Sequence, residues 1–179
     1  MKKAFFLVSY ALMIILPAKA QLYAGGGFSF YTDKASNSDN TVNHLSIAPE
    51  IGYHFSPASL GLAFEYAKAD YDGTLQDINA ITFEPYLRPH IIEVGSLCFF
   101  IDVKFSYTEY FFGWLYYNKS TYLIGLSPGL SFRLTDRLSS VINFGIAGYC
   151  SDATPYGFEG WGVSLSTTTT KLGFYYSFW

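Results

Sequence analysis

The stretch His44–Phe55, HLSIAPEIGYHF, alternates without a break. Its odd positions hold Leu45, Ile47, Pro49, Ile51, Tyr53 and Phe55, and its even positions hold His44, Ser46, Ala48, Glu50, Gly52 and His54. Successive side chains of a strand point to opposite faces, so a period of two predicts a strand with one apolar face and one small or polar face. The pattern recurs outward from there. Leu60, Leu62, Phe64 and Tyr66 alternate with Gly61, Ala63, Glu65 and Ala67, and Ile81, Phe83, Pro85, Leu87, Pro89 and Ile91 with Thr82, Glu84, Tyr86, Arg88 and His90. Leu97–Tyr107 and Tyr122–Arg133 repeat it. Leu138, Ile142, Phe144 and Ile146 form a seventh apolar face, Leu172, Phe174, Tyr176 and Phe178 an eighth, and the Gly-rich Leu22–Tyr31 the first strand. Strands of about 9–11 residues are what a tilted membrane crossing requires.

The connections alternate as well. Ser56–Ser59, the residues around Glu93–Ser96, and Thr135–Arg137 are short, whereas Thr32–Asn43, Asp70–Asn79, Thr108–Thr121 and Tyr149–Thr169 are longer. Short turns at one end and long loops at the other are the layout of outer-membrane barrels. An even strand count lets the sheet close and removes edges that lipid could not satisfy. Phe, Tyr, Leu and Ile crowd the apolar faces and would overfill an eight-stranded interior, while Gly, Ala and Ser on the other faces suit a narrow one. The expected fold is all-β, an eight-stranded antiparallel up-and-down transmembrane β-barrel. A soluble, lipocalin-like barrel with the apolar face inside is the alternative.

The chain starts with Lys2 and Lys3, an apolar run from Ala4 to Leu16, and Ala18-Lys19-Ala20. That is the pattern of a secretory signal cleaved before Gln21. The run of about 13 residues is short of the ~20 that a spanning helix needs. Residues 1–20 are therefore expected to be a signal peptide, and 21–179 one outer-membrane β-barrel domain of a Gram-negative bacterium. Three of the 11 basic residues fall in the signal, which leaves eight against 14 acidic ones, a charge of −6. That balance gives no electrostatic case for nucleic acid. Aromatics make up 20% of the chain and charged residues only 14%, against about 25% charged in a soluble domain.

Three passages carry a resemblance. The ending Leu172–Trp179, LGFYYSFW, resembles the C-terminal signature of outer-membrane barrels, with Trp179 standing out of register after Phe178. Gly125–Leu138, GLSPGLSFRLTDRL, and Phe83–Arg88, FEPYLR, look like the OmpX/OmpA-type β-barrel domain of small outer-membrane proteins. The resemblance spans essentially the whole chain after the signal. It implies that Leu172, Phe174, Tyr176, Phe178 and Trp179 are read by the barrel-assembly machinery, and that the fifth and sixth strands extend beyond the bilayer as a hairpin.

On this alternation Glu50, Glu65, Glu84, Arg88, Asp102, Lys104 and Arg133 point inward with His54 and His90, and Lys171 is a further lumen cation. Pairing Phe55 with Leu60 would set Glu50 opposite Glu65, two carboxylates about 4.5–5.5 Å apart that cannot both ionise cheaply without a cation. Either register of the next hairpin offers a pair, Glu84 with Lys104 or Arg88 with Asp102. The network is expected to plug the lumen, or else to line a narrow ion path.

Tyr110, Phe111, Phe112, Trp114, Tyr116 and Tyr117 bracket the third long loop, and Trp161 lies in the fourth. They read as an interfacial girdle, with a sticky surface for a host or membrane partner as the other possibility. His44 with Ser36, Ser38, Ser46 and Ser164 matches no catalytic template, so no catalysis is expected. Three scattered His and two Cys show no zinc-type spacing, so no metal or other cofactor is expected. Cys98 and Cys150 fall at opposite barrel ends, too far apart for a disulfide. The expected role is that of a monomeric, non-enzymatic barrel in outer-membrane lipid. It would serve envelope integrity and surface interaction through its long loops, with a narrow ion or small-solute channel as the alternative.

Overall fold

Most of the described strands turn a small or polar face inward and a large apolar face outward. The computed structural model describes residues 21–34, 41–71, 78–112, 118–153, 158–165 and 170–178, so the proposed signal at 1–20 lies outside the described residues. They form ten strands: β1 Gln21–Lys34, β2 Thr41–Phe55, β3 Ala58–Tyr71, β4 Ile78–Val94, β5 Leu97–Phe112, β6 Asn118–Arg133, β7 Leu138–Asn143, β8 Ile146–Cys150, β9 Gly160–Ser164 and β10 Lys171–Ser177. Each of β1 to β6 pairs antiparallel with its successor, and β10 joins β7 to β1, which closes a ring of eight; β8 continues the wall beyond β7 by pairing with β6. The closing ladder runs from Tyr23 opposite Ser177 to Phe28 opposite Leu172, and the Phe178 N–H donates to the Leu22 carbonyl at 3.0 Å. This is the antiparallel barrel expected from the period of two.

The exposed apolar set includes Ile47, Ile51, Leu60, Phe64, Ile81, Leu87, Val103, Ile124, Leu126, Leu172 and Phe174, each between 38% and 56% exposed. Their even spread over the strands is the inverse of a water-soluble barrel, which hides such residues inside. The soluble alternative is contradicted by this face.

Two irregularities depart from strict alternation. On β4 the pairing with β5 shifts between His90 and Ile92, so the neighbours Ile91 and Ile92 are both exposed. An extra residue in one strand of a pair is a β-bulge, and it reverses which parity faces inward. A second shift separates β7 from β8 at Phe144 and Gly145, where Gly145 has φ +81°. Gly129 pairs with Asn143, but Leu126 pairs with Ala147, one residue further along than the first register allows. Ile146, expected on the outer face, therefore points inward and is 2% exposed.

The expected fourth long loop contains β9, which pairs with β8 from Cys150 opposite Gly160 to Ile146 opposite Ser164. Trp161, Val163 and Leu165 project outward from that end. β5 runs on to Phe112, so the third connection is shorter than Thr108–Thr121.

Candidate functional site

The lumen is layered along the barrel axis. At its middle, Arg88 donates from Nε to Asp102 Oδ1 at 2.7 Å and from Nη2 to Oδ2 at 2.9 Å. Tyr86 lies opposite Lys104 and Leu87 opposite Val103, which brings Arg88 level with Asp102. Asn143 donates to Asp102 Oδ2 at 2.8 Å. The guanidinium lies over the rings of Phe100, Tyr86 and Tyr175, at 4.3, 4.8 and 5.5 Å from their centroids. A forked ion pair wrapped in ring faces replaces the water that a buried cation loses.

Around it, Tyr86 donates its hydroxyl to Glu50 Oε2 at 2.8 Å and shares a 2.7 Å hydroxyl contact with Tyr23. The wall gives these rings room. A Cβ on Gly52 would meet the Tyr23 hydroxyl at 2.2 Å, one on Gly61 would meet Tyr86 Cζ at 2.3 Å, and one on Gly129 would meet Phe100 Cζ at 2.3 Å. Glycine is required at these positions by the close approach of a ring rather than by backbone conformation.

Toward the long-connection end, Lys104 Nζ donates to Glu84 Oε1 at 3.2 Å, Ser106 donates to Glu84 Oε2, and Lys171 Nζ donates to Glu65 Oε2 at 2.5 Å. Both candidate pairs of the β4–β5 hairpin thus form together, Arg88 with Asp102 by register and Glu84 with Lys104 on the diagonal. The expected Glu50–Glu65 confrontation does not occur. Only Ser56 and Pro57 separate β2 from β3, Phe55 pairs with Ala58, and Glu50 falls opposite Ala63. Between these layers lies a void of about 20 Å³, room for about one water.

Beyond it Leu123, Ile146 and Cys150 pack together with partly buried Phe158 against them, and the buried hydroxyls of Thr82 and Thr108 meet at 2.8 Å beside this apolar cluster. Tyr110 is also in this interior, 6% exposed, and is not part of a girdle: β5 continues through it, and its even position faces the lumen. Phe111 is half-buried, and the side chain of Phe112 lies outside the described residues, as do Trp114, Tyr116, Tyr117 and Trp179. Trp161 is 82% exposed on the outer face, its ring edge-on to Tyr149 at 5.8 Å, and Tyr149 stacks on Tyr122 at 6.2 Å. Leu172, Phe174, Tyr176 and Phe178 form an outward column along the last strand and just past it.

At the short-turn end the lumen opens into a mouth cavity of about 350 Å³. Arg133 lies on this exposed rim, outside the inner network, because β6 ends there. His54 and His90 stack at 4.9 Å; Ser59 Oγ lies 2.9 Å from His54 Nδ1 and 3.3 Å from His90 Nε2; and His90 Nδ1 lies 3.1 Å from Glu93 Oε1. Glu93 pairs directly with Cys98. Sequence reasoning missed this cluster, because it ended the strand near Ile91 and read Glu93 as part of the connection, whereas β4 runs to Val94 through a bulge. Both cysteines are free, Cys98 at this mouth and Cys150 buried at the other end.

No family model and no curated protein sequence matches the chain. Among solved structures, the outer membrane protein OprG from Pseudomonas aeruginosa shares 12% identity with a TM-score of 0.52, over 89% of this chain and 95% of that one. OmpT of Vibrio cholerae, in its in-vitro folded trimer form, shares 11% identity with a TM-score of 0.41, over 90% of this chain and 53% of that one. At such identities what is shared with OprG is architecture: the chain has the fold of an eight-stranded antiparallel outer-membrane β-barrel.

Proposed function

We propose that the protein is an integral outer-membrane barrel with a closed lumen, without catalytic activity, which serves envelope integrity and holds its long connections at the cell surface. The observation that carries this reading is the mid-barrel plug of Arg88, Asp102, Tyr86, Phe100 and Tyr175. Each member is 7% exposed or less, and the void beside them is about 20 Å³. Closed ladders and an outward apolar face support residence in lipid, where every backbone polar group must find its partner within the protein. The short turns would then face the periplasm and the long connections the exterior. The outward column Leu172, Phe174, Tyr176 and Phe178 is the segment offered to the assembly machinery, the role implied by the resemblance to OmpX/OmpA-type barrels. The testing experiment is single-channel recording of folded barrel in a planar bilayer. A silent membrane is expected, and stable discrete steps would turn the reading to a narrow channel.

A further inference from the structure

We propose that the short-turn mouth is a metal site in which His90, Glu93 and Cys98 bind a divalent ion of the zinc class. One ligand atom from each of the three lies within 4.8 Å of the other two. The fold assembles them by two local devices. The bulge at Ile91 turns Glu93 to the same side as His90, and the turn Gly95-Ser96, with Gly95 at φ +62°, sets Cys98 directly opposite Glu93. Directly opposed side chains on one sheet face sit about 4.5–5.5 Å apart at Cβ.

An imidazole nitrogen, a carboxylate oxygen and a thiolate sulfur make a mixed set that suits zinc, whereas magnesium and calcium take oxygen donors. Binding would release the Cys98 proton to solvent, and the thiolate with Glu93 would neutralise the ion, so nearby Arg133 meets no net positive charge. Glu93 is exposed and free to swing the remaining distance. A fourth position opens into the mouth cavity, as in zinc sites that keep one position for water or an incoming ligand.

Support behind the ligands is the second observation. A metal-bound histidine holds its other ring nitrogen in a hydrogen bond that fixes the ring. Here His90 Nδ1 faces Glu93, and His90 Nε2 is held by Ser59 Oγ, which in turn contacts His54. Ser59, His90 and Glu93 also stand in the order nucleophile, base and acid. Ser59, however, is 4% exposed and lies between the rings of His54 and His90, whereas Glu93 is exposed in the cavity that all of them line. The arrangement favours an ion over an ester.

The test uses the full protein extracted folded in detergent, stripped with a chelator and titrated with Co²⁺, then with Zn²⁺. A thiolate-to-cobalt charge-transfer band that Zn²⁺ abolishes is expected. Cys98→Ser should remove the band and Cys150→Ser should leave it. Ser59→Ala should weaken Co²⁺ binding at least about tenfold, and His90→Gln and Glu93→Gln by no less. Heat-modifiable gel migration checks that each variant is folded, and should His90→Gln not fold, Cys98→Ser and Cys98→Ala decide. The absence of a band, or a band that survives Cys98→Ser and is lost in Cys150→Ser, overturns the site. So does fluorophosphonate labelling of Ser59 without any cobalt spectrum, which would assign the cluster to nucleophilic catalysis.

Discussion

Arg88 and Asp102 each depend on the other for their solvation inside the barrel. Asp102→Ala would leave the guanidinium buried without its counter-charge and is expected to destabilise the barrel by about 3–5 kcal/mol. Replacing both residues with apolar ones of similar size should cost much less; equilibrium urea unfolding in lipid vesicles measures both. A similar cost for single and double variants would mean that the pair is not coupled. Gly129→Ala places a methyl group where the Phe100 ring lies, and overpacking of this kind costs about 1–3 kcal/mol. Phe100→Leu should relieve it in the same unfolding series. A third outcome concerns the thiols. A water-soluble maleimide should modify Cys98 in the folded barrel and reach Cys150, which is fully buried, only after unfolding. Arg133 lies on the rim despite its parity, whereas the inward position of Glu84, Arg88, Asp102 and Lys104 was legible from parity alone. Which of them pair was not, because pairing depends on turn length, and the Ser56-Pro57 turn is two residues tighter than the one that would have joined Glu50 to Glu65.

The eight strands of the closed ring and their antiparallel order were legible because an apolar outside and a narrow lumen impose opposite demands on alternate residues. Bulges were hidden for the same reason, since each changes parity without changing composition. Ile146 lies just beyond one and takes the face opposite to the one its parity predicts, and Glu93, read as part of a turn, lies in β4 beyond the other. The bulge in β4 makes a direct prediction. In Glu93→Cys the new thiol should oxidise with Cys98, since strand partners at about 4.5–5.5 Å between Cα atoms fall within the disulfide range. Deleting Ile91 in that variant should abolish the cross-link by turning residue 93 outward; non-reducing mass spectrometry distinguishes the two. β9 was read as loop because Gly160 and Gly162 dilute its pattern, yet its ladder with β8 sets Trp161 on the outer surface. With Trp114 and Trp179 changed to Phe, the fluorescence of Trp161 should be strongly quenched by brominated lipid. Unquenched emission would remove this hairpin from the bilayer.

For the molecule as a whole, the inversion of apolar and polar faces is the property that composition announces most plainly. Few charges and many rings, combined with strands, are the composition that the proposed place in lipid requires. The interior divides into a polar mouth, an ionic plug and a far end where an apolar cluster sits beside buried hydroxyls, and this division was not readable, because it arises from side chains on different strands meeting across the axis. Tyr23, Tyr86 and Phe100 fill the bore while Gly52, Gly61 and Gly129 hollow the wall behind them. The two sets have unequal evolutionary freedom. Any substitution at one of those glycines collides with a ring, so mutation cannot thicken the wall first. Cutting a ring back to a small side chain leaves a ready-made groove in its place. The ancestry of a barrel like this can therefore lead from sealed to open by single steps in the bore, while the return needs a new ring to arrive where the glycine has been kept.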